Sequence, residues 1–153
     1  MLTKEPETIG ELRALRDSKI LYVGIGNVLK SDDGVGVYIS RKIKNNDYVS
    51  SLAAEVSIEN YIGRINSLKP DILVIIDCMD MKTEPGKSRL LPLNKVMDLT
   101  FNTHNISVAR LADFFPMPVF ILGIQPEHID FGEKISYLVK KEADKLINLI
   151  NLK

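Results

Sequence analysis

The sequence of 153 residues has little of several features that would mark a particular class of protein. Its single cysteine, Cys78, excludes an internal disulfide and a cysteine-rich zinc site. With 20 basic and 20 acidic residues it has no net charge and no basic stripe, so we expect neither nucleic acid nor an anionic membrane as a partner. No apolar segment approaches the length of a membrane span, and residues 1–19 lack the apolar core of a signal peptide. We therefore expect a cytoplasmic protein.

Apolar runs alternate with helical patterns along the chain. The segments "KILYVGI", "DILVIID" and "PVFILGI" each contain a continuous apolar run, which is typical of strands buried on both faces. This alternation predicts an α/β fold in which helices cover both faces of a mostly parallel sheet. We predict a single α/β domain over residues 19–153, preceded by an N-terminal extension over 1–18 that packs outside the sheet.

Other segments give shorter or less regular patterns. "LAAEVSI" predicts a strand, and "SRLLPL" predicts a strand at a sheet edge because Pro92 has no N–H to donate. The helix after the first strand is predicted to end near Asn45 and Asn46, and "NISVARLADFF" is predicted to be helical. The last segment predicts a long amphipathic helix. Its predicted apolar side consists of Ile135, Leu138, Val139, Leu146, Leu149 and Ile150.

The first buried strand ends in "GIGNVLKSDDGVG", a Gly-x-Gly turn followed by Asp32 and Asp33. A dinucleotide-binding loop would need a third glycine where Leu29 stands, and two carboxylates at the helix start would repel phosphate. One aspartate could simply cap the helix. Capping would not explain the second aspartate. At this point the pair is equally consistent with helix capping and with a functional site.

Two further strand exits carry polar residues. Asp77 ends "DILVIID", where it could begin a turn or act as a metal ligand or acid/base group. His104 lies in "NTHNIS", before a predicted helix. Because ligands of parallel sheets bind beyond the carboxyl ends of the strands, Asp33, Asp77 and His104 form a candidate ligand set for a divalent transition ion. Cys78 has acidic neighbours, so a core position is favoured over a nucleophile.

These segments, taken in order, resemble the hydrogenase maturation endopeptidases, in particular the branch that processes formate-hydrogenlyase-type nickel–iron hydrogenases. The resemblance is carried by "GIGNVLKSDDGVG", "ENYIGRINSLKPDILVIIDCMDMKTEPG", "NTHNIS" and "ILGIQPE", from the first strand to the final helix. It implies a three-layer α/β/α sandwich with a twisted, mostly parallel sheet of about five strands. Matched position by position, the family's metal ligands fall on Asp33, Asp77 and His104. Some relatives have Glu in place of Asp33, and the Gly-Gly stretch of others reads "SIENYIG" here.

The resemblance also implies a function. Such an enzyme recognises a hydrogenase large-subunit precursor that already holds nickel, and removes its C-terminal extension. Nickel is then recognised in the substrate, and another divalent metal could occupy the free enzyme. We predict Asp32, Asp33 and Asp77 as the catalytic carboxylates of an aspartic-type or metal-assisted hydrolysis, in a protein that acts as a monomer. Asp80 is an alternative general base, and Asn27 could stabilise an oxyanion.

Two other functions fit parts of the sequence. A nickel-binding accessory protein of hydrogenase assembly would keep the three ligands without cleaving anything. A Rossmann-like nucleotide-binding module would use the Gly-x-Gly turn, but the paired aspartates that follow it argue against a bound phosphate.

Overall fold

The computed structural model describes residues 11–12, 15, 17–98, 110 and 112–152. Its strands and α-helices, in chain order, are β1 (Ile20–Ile25), α1 (Val35–Lys42), β2 (Val49–Glu55), α2 (Ile62–Leu68), β3 (Ile72–Cys78), β4 (Ser88–Pro92), β5 (Val119–Ile124) and α3 (Tyr137–Ile150). Short 3-10 helices occupy Ser31–Gly34, Ile58–Tyr61, Leu93–Asp98 and Ala112–Phe114. No α-helix in these ranges combines the length and apolar character needed to cross a bilayer.

The strands form one five-stranded sheet in the order β2-β1-β3-β5-β4. The β1–β2, β1–β3 and β3–β5 pairs are parallel, and β4 pairs antiparallel with β5. The mostly parallel sheet is therefore confirmed, as is the edge position of the strand that contains Pro92. From β1 the chain moves outward to β2 and then crosses back to β3 on the other side. The gap between β1 and β3 is thus the switch point at which sheets of this kind bind ligands.

Apolar side chains cover both faces of the sheet. On one face, Ile20 and Tyr22 of β1 belong to a buried cluster with residues of α1 and α3. On the other, Leu21 and Val23 of β1 pack in a cluster that includes Ile65 of α2. Because successive strand residues point to opposite faces, each buried strand contributes to both clusters and must be apolar throughout. The three-layer α/β/α arrangement follows from this.

Part of the predicted N-terminal extension joins the core. Leu12 is buried in the cluster formed with α1 and α3, and Leu15 is partly buried against that cluster. The division of the chain at residue 18 stays a prediction. These two contacts show that the described part of the extension covers the sheet face beside α1 and α3.

Several element boundaries differ from the predicted ones. Strand β2 begins at Val49 instead of Leu52, and α1 ends at Lys42, before the predicted Asn45, because Ile43 is already extended with ψ of 132°. Leu138 is exposed, so its place on the apolar side of the last helix was wrong. The predicted helix over "NISVARLADFF" lies largely outside the described residues, and only Ala112–Phe114 is seen there, as a 3-10 helix.

The buried side of α3 contains a charged residue that the apolar pattern did not predict. Glu142 is buried, and its Oε2 accepts a hydrogen bond of 2.5 Å from the hydroxyl of Ser88 in β4. A hydrogen-bonded partner is the usual condition for a carboxylate inside a core. The remaining buried positions of the helix are Val139, Ala143, Leu146, Ile147 and Ile150.

Candidate functional site

Two glycines let α1 lie directly on the sheet. A Cβ on Gly24 would lie 2.5 Å from Ser40 Oγ and closer still to the Gly36 carbonyl oxygen. A Cβ on Gly36 would lie 2.7 Å from the carbonyl oxygen of Ile25 and overlap that of Ile76. Larger residues would therefore push the first turn of α1 away from the carboxyl ends of β1 and β3. The glycines of the motif position the segment that carries the two aspartates at the switch point.

The turn after β1 wraps around the Asp33 side chain. Gly26 has φ of +128°, a conformation that favours glycine. Asp33 is buried, and its Oδ2 accepts a hydrogen bond of 2.9 Å from the backbone N–H of Asn27. The Asn27 side-chain oxygen in turn accepts one from the N–H of Leu29, also at 2.9 Å. A hydrogen-bonded turn thus holds Asp33 beyond the carboxyl end of β1.

Asp77 lies near the carboxyl end of β3 and is fully buried. In the register of the sheet it is opposite Gly123 of β5. Its neighbours Ile76 and Cys78 belong to the cluster under α1 and α3, so the alternation of the strand directs Asp77 to the other face. Asp77 thus lies near the carboxyl end of a central strand that borders the switch point.

The thiol of Cys78 is buried, and several acidic residues affect its pKa. Burial is the main cause that raises the pKa of its thiol well above the usual range, and the charges of Asp77, Asp33, Asp32 and Asp80 raise it further. A thiol that stays protonated is a poor nucleophile. The core role predicted for Cys78 is consistent with this pKa.

The third predicted ligand, His104, lies outside the described residues. Within the described ranges, His, Cys, Asp and Glu side chains do not form a group of three that could hold a metal ion. Asp33 and Asp77 both lie at the end of the sheet formed by the carboxyl ends of β1 and β3. The full ligand set stays a prediction.

Asp32, predicted to be catalytic, is fully buried and accepts four hydrogen bonds. Its Oδ2 accepts from the backbone N–H groups of Glu127 and His128, at 2.9 and 3.2 Å, and from the hydroxyl of Ser136 at 2.7 Å. Its Oδ1 accepts from the backbone N–H of Ser136 at 2.6 Å. Ser136 is the N-cap residue of α3, so the carboxylate also lies near the positive end of that helix. These contacts support an anchoring role for Asp32. Its catalytic role stays a prediction.

We expect Asp32→Asn to lower the free energy of unfolding by about 2–3 kcal/mol, because an NH₂ group would then face hydrogen-bond donors in a buried site. Urea denaturation monitored by circular dichroism measures this. The control Ser136→Ala removes only the hydroxyl donor and should cost about 1 kcal/mol. A loss of stability for Asp32→Asn no greater than for the control would contradict the anchoring role.

Gln125, which the sequence reasoning missed, orders the loop after β3. It directly follows β5 and is buried. Its Oε1 accepts a hydrogen bond of 2.6 Å from the N–H of Met81, and its Nε2 donates to Asp80 Oδ1 at 3.3 Å. A polar residue directly after the apolar run "FILGI" was the signal available in the sequence.

Asp80, the alternative general base, lies at the surface of that loop. The backbone N–H of Lys82 is the main cause that lowers the pKa of its carboxyl, followed by the hydrogen bond from Gln125. The Lys82 ammonium lies 3.2 Å from Asp80 Oδ2. A carboxylate whose pKa is lowered is a weaker proton acceptor, so these contacts favour loop ordering over base catalysis.

Comparisons with known proteins identify the family of this chain. Residues 34–152 match the sequence model of a family described as "HycI: Hydrogenase maturation protease". The Hydrogenase 3 maturation protease of Escherichia coli K12 is 31% identical over 128 residues, which cover 78% of this chain and 81% of that protein. A protein of Methanocaldococcus jannaschii named as a hydrogenase maturation protease is 32% identical over 148 residues, with 86% of each chain covered.

A solved structure shares the fold. The crystal structure of the NiFe hydrogenase maturation protease HycI from Thermococcus kodakarensis superposes with a TM-score of 0.78 at 25% sequence identity, covering 91% of this chain and 94% of that one. The resemblance seen in the sequence motifs is therefore confirmed, and this chain belongs to the hydrogenase maturation protease family.

Proposed function

We propose that this protein removes the C-terminal extension of a hydrogenase large-subunit precursor, and that it does so only when the precursor holds nickel. Membership of the family supports a protease of hydrogenase maturation. The observation that carries the site assignment is that two buried carboxylates, Asp33 and Asp77, lie beyond or at the carboxyl ends of the adjacent parallel strands β1 and β3. A switch point with two buried carboxylates is suited to a cation.

Nickel enters this proposal as part of the substrate. Carboxylate oxygens with an imidazole nitrogen form a ligand set suited to divalent transition ions, so Asp33, Asp77 and His104 would contact the nickel of the precursor. Both aspartates are buried on rigid elements, since Gly36 holds α1 against the sheet and β3 is paired on both sides. Two buried carboxylates near each other repel, and the precursor's cation would offset that repulsion. Recognition would thus depend on nickel loading.

Cleavage requires water to add to the carbonyl carbon of the scissile peptide. The C–N bond then breaks, and a proton is transferred to the leaving amine. We propose that Asp33 or Asp77 accepts the proton of the attacking water, either as an aspartic-type base or beside a carbonyl polarised by the precursor's nickel. Asp32 is less suited to this step because four donors already occupy its oxygens.

The decisive experiment mixes the purified protein with precursor large subunit that has or has not been loaded with nickel, and follows the precursor's length on a denaturing gel. We expect shortening only in the nickel-loaded sample. Shortening in both samples would keep the protease and refute recognition of nickel. An uncut precursor that nevertheless forms a nickel-dependent complex would favour the accessory-protein function instead.

A further inference from the structure

Three apolar side chains are exposed on two adjoining loops beside the candidate site. Phe131 is 85% exposed, the most exposed large hydrophobic residue in the described ranges. Leu29 and Ile129 are 44% and 43% exposed. Single exposed apolar residues are common on protein surfaces, whereas a group of them marks an interaction site. We refer to Leu29, Ile129 and Phe131 as the apolar ridge.

Hydrogen bonds join the two loops that carry the ridge. The N–H of Gly132 donates to the Leu29 carbonyl at 2.7 Å, and the N–H of Ser31 donates to the Gly132 carbonyl at 2.7 Å. The Ser31 hydroxyl donates to the carbonyl of Asp130, also at 2.7 Å. Leu29 is therefore fixed next to the residue that follows Phe131. A surface held in place before binding loses little entropy when a partner docks.

The ridge is continuous with the candidate site. The turn that places Leu29 also holds the Asp33 carboxylate, because Asn27 bonds to both residues. Asp32, next to Asp33, anchors the backbone of Glu127 and His128, just before Ile129. The ridge is therefore directly connected to the segment that carries Asp33, within reach of a polypeptide bound there.

We propose that the apolar ridge is the docking surface for the hydrogenase large-subunit precursor, which contacts it through apolar side chains close to the cleaved bond. This inference rests on the proposed function. A protease acts on a polypeptide, and an exposed aromatic residue on a rigid loop is the type of residue that dominates protein interfaces. The ridge would bind the precursor beside the nickel-recognition site. It would therefore strengthen the affinity for the precursor without changing the rate of the chemical step.

The test measures cleavage of nickel-loaded precursor by Phe131→Ala at several precursor concentrations. We expect KM to rise about tenfold while kcat stays at the wild-type value. The substitution removes an exposed side chain, so circular dichroism should show an unchanged fold. The matched control is Phe114→Ala, which removes a 57% exposed aromatic residue shortly before β5, at the opposite end of the sheet. Its KM should equal that of the wild type.

Other outcomes would overturn the inference. A KM for Phe131→Ala equal to that of the control would show that the ridge does not contact the precursor. Conversion of a dimer to a monomer by Phe131→Ala with an unchanged KM, seen by sedimentation, would make the ridge a contact between copies of this chain.

A binding measurement separates failure of the ridge from failure of the proposed function. Nickel-loaded precursor is titrated against wild-type protein and against Phe131→Ala in a rapid-mixing experiment that records binding before cleavage. If the wild type cuts no precursor, the proposed function fails, and the ridge is still tested by this titration. About tenfold weaker binding for Phe131→Ala supports the ridge. Equal binding, or no binding to either protein, overturns it.

Discussion

Asp77→Asn is expected to leave nickel-loaded precursor essentially uncut, at a rate at least about 10³-fold below that of the wild type. Asparagine keeps the size of the side chain but removes its charge, so it can neither accept a proton nor balance the precursor's cation. Because Asp77 is buried in a central strand of the sheet, an isosteric change is the one that best preserves packing. A time course of precursor shortening on gels, with thermal unfolding to confirm the fold, gives the result.

Two matched variants make this prediction specific. Asp47→Asn makes the same change at an exposed position just before β2, at the far end of the sheet, and should cleave at the wild-type rate. Asp80→Asn should also stay active, because the carboxylate it removes bonds to Lys82 and Gln125 in a surface loop. Normal cleavage by Asp77→Asn would remove Asp77 from the site. If Asp80→Asn is inactive, Asp80 is the general base instead.

Gly36→Ala is expected to lower the free energy of unfolding by more than about 4 kcal/mol. The added methyl group would collide with the carbonyl oxygens of Ile76 and Ile25, which belong to the sheet backbone and cannot rotate away as a side chain would. Helix α1 would have to move off the sheet and open the core beneath it. Urea denaturation monitored by circular dichroism measures the loss.

The control for this prediction is the same substitution in another helix. Gly63 lies in α2, and a Cβ there would meet nothing within 4 Å. Gly63→Ala should raise the free energy of unfolding by about 0.5–1 kcal/mol, because alanine loses less backbone entropy than glycine in a helix. Comparable stabilities of the two variants would mean that α1 can shift outward at little cost.

The fold was predictable where a single segment carries the information. β1, β3 and β5 contain continuous apolar runs because both faces of the sheet are covered, and Pro92 identifies an edge strand because it lacks an N–H. The start of β2 was not predictable in this way. Its first residues include Ser50 and Ser51, which are half-buried at the other edge of the sheet and carry little apolar signal.

The contacts that could not be predicted from the sequence are those between residues far apart along the chain. Asp33 and Asp77 were predicted because strand exits can be located from the apolar runs that precede them, and the structure places both residues at or beyond the carboxyl ends of strands. The anchoring contacts of Asp32 come from Glu127 and Ser136, which are 95 and 104 residues away. Glu142 is likewise buried because Ser88, 54 residues earlier, donates to it. Pairings of this kind are set by the tertiary fold, and no local spacing encodes them.

The contact between Asp32 and Ser136 also has a consequence for the order in which the protein folds. During synthesis on the ribosome, the turn that carries Asp32 and Asp33 emerges 104 residues before Ser136. Until then the Asp32 carboxylate lacks the donors that accompany its burial, so the turn cannot take its final position. The turn that carries Asp32 and Asp33 is therefore completed only after the chain has been made as far as Ser136.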